Sequence, residues 1–452
     1  GANPYLNTAA YVFDFALTQQ TPPLEVEAYL NVISDRYPHL KEETYSSHAH
    51  LFACTVAEMS QLEMDLHLNR WSLKSFSEDR DRIAVQALHA RTSHAIVYCV
   101  WDWFEAISQH QDFSIDSQIE ELQKLFRRSV YGGPTVYALL KTADHLQIPS
   151  FYLWDEGLMQ YGYGKHQIRG SATTFDVDSH LDSDFTTRKD DCKAFLRTLG
   201  FPVPFGDIVD RVSDAVYVAK KIGYPVAVKP VVGHKGIGVT ADVQDADELE
   251  LAFDRAVEAI ELDQPIRVIV EKSIRGKDYR LLCVNGRFVA ATERRPASVV
   301  GDGYSTIQEL IDRENRAPAR SDTPTSPMGK IKIDEAMELF LREQNLSLDS
   351  VLERDRTVFL RKVANLSAGG FSVDATHCIH LDNVILAQDI AQHFRLTCLG
   401  IDVIAEDLSK SWKTGNFGII EINAAPGIFM HLKPAIGDSV DVPSHILKTF
   451  FT

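Results

Sequence analysis

The dipeptide Asn285-Gly286 sits between two apolar runs, in the segment Lys277–Arg295. Both residues tolerate the positive φ that a two-residue hairpin turn demands, so the flanking runs are predicted to fold back as antiparallel strands. Side chains alternate along a strand, which puts Asp278 and Arg280 on one face of that hairpin. A second constraint comes later. Residues 418–427 read Gly-Ile-Ile-Glu-Ile-Asn-Ala-Ala-Pro-Gly, a short apolar strand that breaks at Pro426 and Gly427. Glu421 and Asn423 emerge on the same face of it. Two hard oxygen ligands amid Ile and Ala make sense around a divalent cation such as Mg²⁺, which shares oxygen ligands with substrate phosphates. The plainer reading of this segment is an edge strand with its polar residues in solvent.

At 452 residues the chain is too long for one ordinary core, and two or three domains are expected. The formal net charge of −17 disfavours a general nucleic-acid or membrane-surface role, since both need basic surface. The six cysteines are scattered, with no C-x-x-C pair, and suggest reduced thiols in a cytoplasmic protein without a zinc site. No apolar run reaches transmembrane length, and the N-terminus lacks the pattern of a signal peptide. The first residue is Gly, not Met, so the chain is open to being a piece of something longer.

Residues 1–160 read as a small mixed α/β domain. A helix is predicted near residues 47–66, strands at Arg82–Leu88 and Ala95–Trp101, a helix from Gly133-Pro134 to about His145, and a strand at Ser150–Trp154. The aromatic group Trp101, Trp103 and Phe104 reads as core. Helical periodicity returns at Asp190–Leu199, where Gly200 can close the helix. Helix 213–222, strand Tyr224–Pro230, helix 246–260 and strand Arg267–Ile274 follow.

Tyr224–Pro230 delivers Lys229 at a strand end, just before Gly233-His234-Lys235-Gly236-Ile237-Gly238. A glycine-rich loop lets backbone N–H groups approach phosphate oxygens, and a neighbouring lysine adds a point charge. The loop joins two strands and opens no helix, so it is neither a Walker A loop nor a dinucleotide fingerprint. Alone it fits a plain hairpin turn equally well, and Lys229 alone fits a solvated strand-end lysine. Glu271 and Asp278 are open to two readings, adenine- and ribose-side contacts or ordinary strand-edge charge. His431, just past the 418–423 strand, is open to two more: a substrate contact, or a satisfied surface histidine.

Taken in order, "GYGKHQIR" at 162–169, "KAFLRTLGFPVP" at 193–204, "GYPVAVKP" at 223–230 and "GHKGIGV" at 233–239 form a set. It continues through the segment 268–303, "LRKVANLSAGG" at 360–370, "GIDVIAED" at 400–407 and "GIIEINAAPGIFMHLKP" at 418–434. Together they resemble the ATP-grasp carboxylate–amine ligases, specifically cyanophycin synthetase, with greatest likeness to the ligase portion of the N-acetylglutaminylglutamine synthetases. The resemblance implies an α+β (α/β) ATP-grasp fold over residues 161–452, with a mobile lid at about 205–270, after the domain of residues 1–160. It implies ATP and Mg²⁺ as cofactors, amino-acid or dipeptide substrates and a homo-oligomer. An acetyltransferase upstream is what the dipeptide-synthetase likeness would imply.

The resemblance also implies roles. Lys189 and Lys229 are the nucleotide lysines, and Gly233, Gly236 and Gly238 the lid over the phosphates. Glu271 and Asp278 contact adenine and ribose, and Asp402, Glu421 and Asn423 hold Mg²⁺. Arg280, Arg294, Arg361 and Asn365 meet the γ-phosphate, the acyl phosphate or substrate carboxylates, and Ser367, Gly369 and Gly370 form a substrate loop. For the arginines, solvated charge or structural pairing is the plainer reading. Two departures stand out. The lid has His234-Lys235-Gly236-Ile237-Gly238 where cyanophycin synthetases tend to have Asn-His-Gly-Arg-Gly. No Gly-x-x-x-x-Gly-Lys-Ser/Thr occurs in this sequence, so the second, alternating ligation of cyanophycin synthetase is not expected of it. The expected chemistry is amide-bond formation through an acyl phosphate. The alternatives are cyanophycin-type chain extension and a nucleotide-binding module without catalysis.

Overall fold

The computed structural model describes residues 3–17, 23–62, 66, 68–77, 80–130, 133–153, 157–232, 237–261, 264–321, 326, 328–362, 364 and 366–451. For residues 127–130 and 367 it describes the backbone alone. The chain divides into two compact units, Gly1–Asp176 with Phe450–Thr452, and Val177–Thr449. The division falls after residue 176 because the strands that follow residue 157 pair with a strand before it. The sequence reading places the domain boundary at 160.

The first unit runs β1 (Ala10–Ala16), α1 (Val26–Arg36), α2 (His48–Ser60), β2 (Trp71–Ser77), β3 (Arg80–Gln86), α3 (Ala90–Ser108), α4 (Ile115–Val130) and α5 (Gly133–His145). It ends in β4 (Ser150–Tyr152), β5 (Leu158–Tyr161), β6 (Ile168–Ser171) and β7 (Thr174–Phe175). Among the described residues these strands build two antiparallel sheets, ordered β1-β3-β2 and β4-β5-β6-β7. Ser47 caps α2 by accepting from the His50 amide. The segment Ala95–Trp101, expected as a strand, lies inside α3. Its β-branched and aromatic residues favour a strand locally. The buried positions Ile96, Cys99, Val100, Trp103, Phe104 and Ile107 recur at helical spacing, and packing on that one face decides the outcome.

The second unit opens with α6 (His180–Thr187) and α7 (Lys189–Thr198), which Gly200 follows at φ +85°. Next come β8 (Gly206–Val209), α8 (Val212–Ile222), β9 (Val226–Pro230), β10 (Thr240–Val243), α9 (Ala246–Glu258) and β11 (Val268–Lys272). These four strands form an antiparallel sheet ordered β10-β9-β11-β8, covering much of the range read as a lid. Its core is Val226, Val228, Val268 and Val270 against Ala215, Leu249 and Phe253 of the two helices.

The chain continues through β12 (Lys277–Val284), β13 (Arg287–Arg295), β14 (Ser298–Val300), α10 (Ile307–Asn315), α11 (Glu335–Glu343), β15 (Thr357–Phe359) and β16 (Phe371–Asp374). It then forms α12 (Leu381–Ala391), β17 (Cys398–Ala405), β18 (Phe417–Asn423) and the short α13 (Phe429–Leu432). Asn285 (φ 49°) and Gly286 (φ 72°) make the tight turn between β12 and β13. The larger sheet is antiparallel and ordered β16-β13-β12-β17-β18.

Register decides what each face of this sheet carries, because directly opposed residues point the same way. One face presents Leu281, Cys283, Ile401, Val403 and Ile422, packed on Leu386, Ala387 and Ile390 of α12 and on Cys192 and Leu196 of α7. Burial of these apolar side chains contributes roughly 1.5–3 kcal/mol each relative to exposure. The other face carries Ser372, Thr292, Arg294, Asp278, Arg280, Asp402, Glu421 and Asn423. Polar groups gathered on one side of an otherwise apolar sheet are the raw material of a site.

Candidate active site

Asp402 lies at the centre of that polar face. Its strand partners are Arg280 on β12 and Glu421 on β18. Arg280 donates from Nε and from Nη2 (3.1 Å) to the Asp402 carboxylate. Arg294 bridges Asp402 (3.2 Å) and Asp278 (2.6 Å). Asn423 Nδ2 approaches Asp402 Oδ2 at 3.4 Å, and Lys189 Nζ lies 3.4 Å from Glu421 Oε1. The structure thus joins Asp278, Arg280, Arg294, Asp402 and Asn423 in one network, with the Lys189–Glu421 pair on the neighbouring strand position.

The charges in it are mutually adjusted. Burial pushes the Asp402 carboxyl up, but the guanidiniums of Arg280 and Arg294 outweigh burial and hold it below the usual carboxylate range. Asp278 is raised by burial and by the Asp402 charge, with Arg294 pulling the other way. Burial disfavours the charged form of Arg294, yet Asp402 and Asp278 raise its pKa overall.

A second knot lies beside it. Glu271, at the end of β11, accepts from Lys193 at 2.7 Å and from Lys229 at 2.6 Å. The Lys193 and Glu271 side chains are 7% and 5% exposed. Burial would raise the Glu271 carboxyl, but the two ammonium groups hold it down. Burial and the charge of Lys229 push Lys193 down, to about 7. Sequence reasoning named Glu271 and Lys229 but missed Lys193. Its signal was there: it stands four residues after Lys189 on α7, between the buried Cys192 and Leu196, where a lysine needs a buried partner. Both Glu271 oxygens are taken by lysines, so in this structure its side chain orients Lys229.

Gly238 has φ +73°, and a Cβ there would meet Ala259 Cβ at 2.6 Å, so the chain at Gly238 packs tightly against the residue that follows α9. Gly233, Gly236 and Asn365 lie outside the described residues, as does the side chain of Ser367. Gly369 (φ +94°) and Gly370 are buried, and Arg320 Nη1 donates to the Gly369 carbonyl at 2.8 Å. Arg361 Nη2 donates to Asp334 (2.7 Å) and to the Lys332 carbonyl (2.8 Å), while its buried Nε has no partner among the described residues. Its contacts therefore lie with α11's start and not with the Asp402 network.

His431 is the residue whose surface reading the structure corrects. It is 2% exposed, on α13, and its Nδ1 lies 2.7 Å from Thr292 Oγ1. Burial, then the charges of Arg280 and Arg294, push its pKa down to about 3.

Two other groups of metal-type ligands occur among the described residues, Glu43/His50/Cys54 and Asp374/His377/Asp438. Burial pushes the Cys54 thiol up to about 12, which keeps it protonated. Asp402, Glu421 and Asn423 differ from both groups in offering oxygen donors on adjacent strands, next to cationic side chains that suit phosphate.

Comparison with known proteins bears on this arrangement. The family model "Carbamoyl-phosphate synthase L chain, ATP binding domain" matches residues 188–281. A crystal structure of a bifunctional glutathione synthetase from Pasteurella multocida is similar, with a TM-score of 0.55 and 26% identity. It covers 79% of this chain and 49% of that one. The cyanophycin synthetase of Synechocystis sp. is 37% identical over 338 residues, 75% of this chain and 38% of the relative.

The chain has the ATP-grasp fold and is similar to ligases of that fold.

The ATP-grasp fold accounts for the α+β architecture with the two larger antiparallel sheets of the second unit. The Glutathione biosynthesis bifunctional protein GshAB of Clostridium perfringens is also similar, 30% identical over 285 residues, 62% of this chain and 36% of the relative. The chain thus spans about two-fifths of the length of the curated relatives it matches. ATP-grasp ligases use ATP and Mg²⁺, and the residues present fit both: ionised Asp402 with Glu421 and Asn423 for a hard cation, and Lys189 and Lys229 for phosphates. Among the described residues no helix is long and apolar enough to cross a membrane.

Proposed function

We propose that this chain is an ATP- and Mg²⁺-dependent ligase that forms amide bonds between amino-acid building blocks. A carboxylate does not condense with an amine unaided in water, and phosphorylation by ATP converts it to a reactive acyl phosphate. Asp402, Glu421 and Asn423 would hold the cation. Bound there, Mg²⁺ supplies charge neutralisation to the phosphates. Lys189 and Lys229 would steady the phosphates, with Lys229 aimed by Glu271. Arg280 and Arg294 would oppose the negative charge that grows during phosphoryl and acyl transfer. The chain around Gly238 would close over the nucleotide and keep water from the acyl phosphate.

The observation that carries this reading is the placement of Asp402 opposite both Arg280 and Glu421 on adjacent strands. A module without chemistry has no need to bury an ionised carboxylate between two guanidiniums and beside two further oxygen donors.

The substrates we infer are an N-acyl amino acid as carboxylate donor and an amino acid as amine, of the N-acetylglutaminylglutamine type. The altered charges of the lid sequence favour this over polymer extension. The names of the relatives favour cyanophycin-type extension as the second reading. Release of ADP and phosphate, with mass spectrometry of the products, tests both. N-acetylglutamine plus glutamine should stimulate turnover above β-aspartyl-arginine oligomers plus aspartate. The reverse order would favour extension, and no stimulation by any acyl–amine pair despite ATP binding would overturn the ligase reading.

A further inference from the structure

The charged face of the large sheet contains two buried polar atoms without a partner among the described residues, His431 Nε2 and Ser372 Oγ. A buried donor without a partner keeps its full desolvation penalty, so both call for a reason. Both belong to one region. Ser372 on β16 is the direct strand partner of Arg294, and Thr292 on β13 is two residues from Arg294. The imidazole of His431 is close enough to Arg280, Arg294 and Asp402 for all three charges to act on it. α13 packs on β13 and β16. The chain after it reinforces the placement, since Ala435 and Ile436 donate backbone hydrogen bonds to the Ser372 carbonyl at 2.9 and 3.3 Å.

The hydrogen-bond network assigns the histidine's proton. Thr292 is 0% exposed, and its hydroxyl contacts His431 Nδ1 at 2.7 Å. A buried hydroxyl proton needs an acceptor, and among the described residues Nδ1 is the hydrogen-bond partner of this hydroxyl. Thr292 therefore donates to Nδ1, which leaves the proton of the neutral ring on Nε2. The Nε2–H and the Ser372 O–H are then two uncharged donors beside a guanidinium. Donors without acceptors, next to positive charge, suit an oxyanion.

We propose that His431 Nε2–H and Ser372 Oγ–H, beside Arg294, form a cradle for a carboxylate of an amino-acid substrate, with Thr292 positioning the imidazole. The assignment rests on the ligase reading and adds a subsite to it. His431 is a donor here, not a base. Its proton stays on the ring, and its role is to hold the substrate.

Titration calorimetry of the full chain, saturated with Mg²⁺ and a non-hydrolysable ATP analogue, tests this. The probes are N-acetylglutamine, glutamine, aspartate, arginine and β-aspartyl-arginine. At least one should bind the wild type. Its affinity should fall about tenfold or more in His431→Leu, and less in Ser372→Ala, as expected for lost hydrogen bonds to a charged group. His431→Gln restores an N–H donor at similar reach and should recover most of the loss, which a merely structural histidine would not predict. Affinity for the ATP analogue should stay unchanged in all three variants, which also reports that they are folded. The cradle is refuted if His431→Leu binds the probes as the wild type does, if Gln rescues nothing, if the loss falls on the nucleotide alone, or if no probe binds the wild type. ADP release by the wild type with β-aspartyl-arginine or N-acetylglutamine stands apart from these readouts, so failure of the cradle and failure of the ligase reading give different results.

Discussion

Arg280 and Asp402 face each other from adjacent strands, and the guanidinium grips the carboxylate through two nitrogens with both side chains almost fully buried (8% and 10% exposed). A buried pair of this kind is expensive to desolvate, and its removal leaves the surviving charge stranded. The arrangement keeps Asp402 ionised in a place where an isolated carboxylate would take up a proton. That is the state a metal ligand needs.

Arg280→Met should therefore destabilise the protein by about 3–5 kcal/mol, the range for breaking one side of a buried ion pair. Because Arg294 also reaches Asp402, the lower end is expected. Urea unfolding followed by circular dichroism measures it. An unchanged midpoint would mean that the pair contributes nothing to the fold.

Glu271→Gln should act differently. It leaves Lys193 and Lys229 facing each other without an anion, so Lys193 gives up its proton and Lys229 loses its aim. We expect both lower stability and at least about tenfold weaker binding of an ATP analogue, equivalent to about 1.4 kcal/mol. Calorimetric titration at neutral pH distinguishes this from a purely structural effect, which would spare nucleotide affinity in the folded fraction.

Leu281→Ala is the complementary case. Leu281 is 0% exposed on the apolar face of β12, the side opposite Arg280. Truncation should cost roughly 2–5 kcal/mol. Nucleotide affinity below the unfolding transition should be unchanged. Loss of affinity without loss of stability would contradict the two-faced reading of this sheet.

His431 sets a pH dependence. In the folded chain its pKa is depressed to about 3, by burial and by the Arg280 and Arg294 charges, with Asp402 opposing. An unfolded histidine takes up its proton near pH 6.5 (about that value in model peptides). Between those values the unfolded state binds more protons. The stability this group contributes is thus fully present above about pH 6.5 and is lost as pH falls toward 3. Replacing the histidine by glutamine removes the titration. Between about pH 6.5 and pH 4, His431→Gln should lose less stability than the wild type. Parallel curves would show that the imidazole is not held neutral.

What could be read from the chain alone depended on how local the cause was. The turn at Asn285-Gly286 needs only positive φ at two positions, and the residues state it. The alternation that puts Glu421 and Asn423 on one face is likewise local. Ala95–Trp101 misled because a short run of β-branched and aromatic residues fits a strand and a buried helix face alike, and tertiary packing chose the helix. The Arg280–Asp402 pair joins residues 122 apart, and His431 meets Thr292 across 139 positions. Neither contact follows from spacing, since both need the register of strands far apart in sequence. The buried place of His431 depends on α13 packing back on β13 and β16. That residues 158–175 go with the first compact unit follows from β5 pairing with both β4 and β6, a pairing that spacing alone does not state.

The central claim is that Asp402, Glu421 and Asn423 hold Mg²⁺ against the phosphates of ATP. A crystal structure with Mg²⁺ and a non-hydrolysable ATP analogue tests it most directly. The account predicts an ion at about 2.0–2.1 Å from oxygens of these side chains and of the terminal phosphates. An ion bound to phosphates alone, with Asp402 still clasped by Arg280 and Arg294 and out of reach, would contradict it.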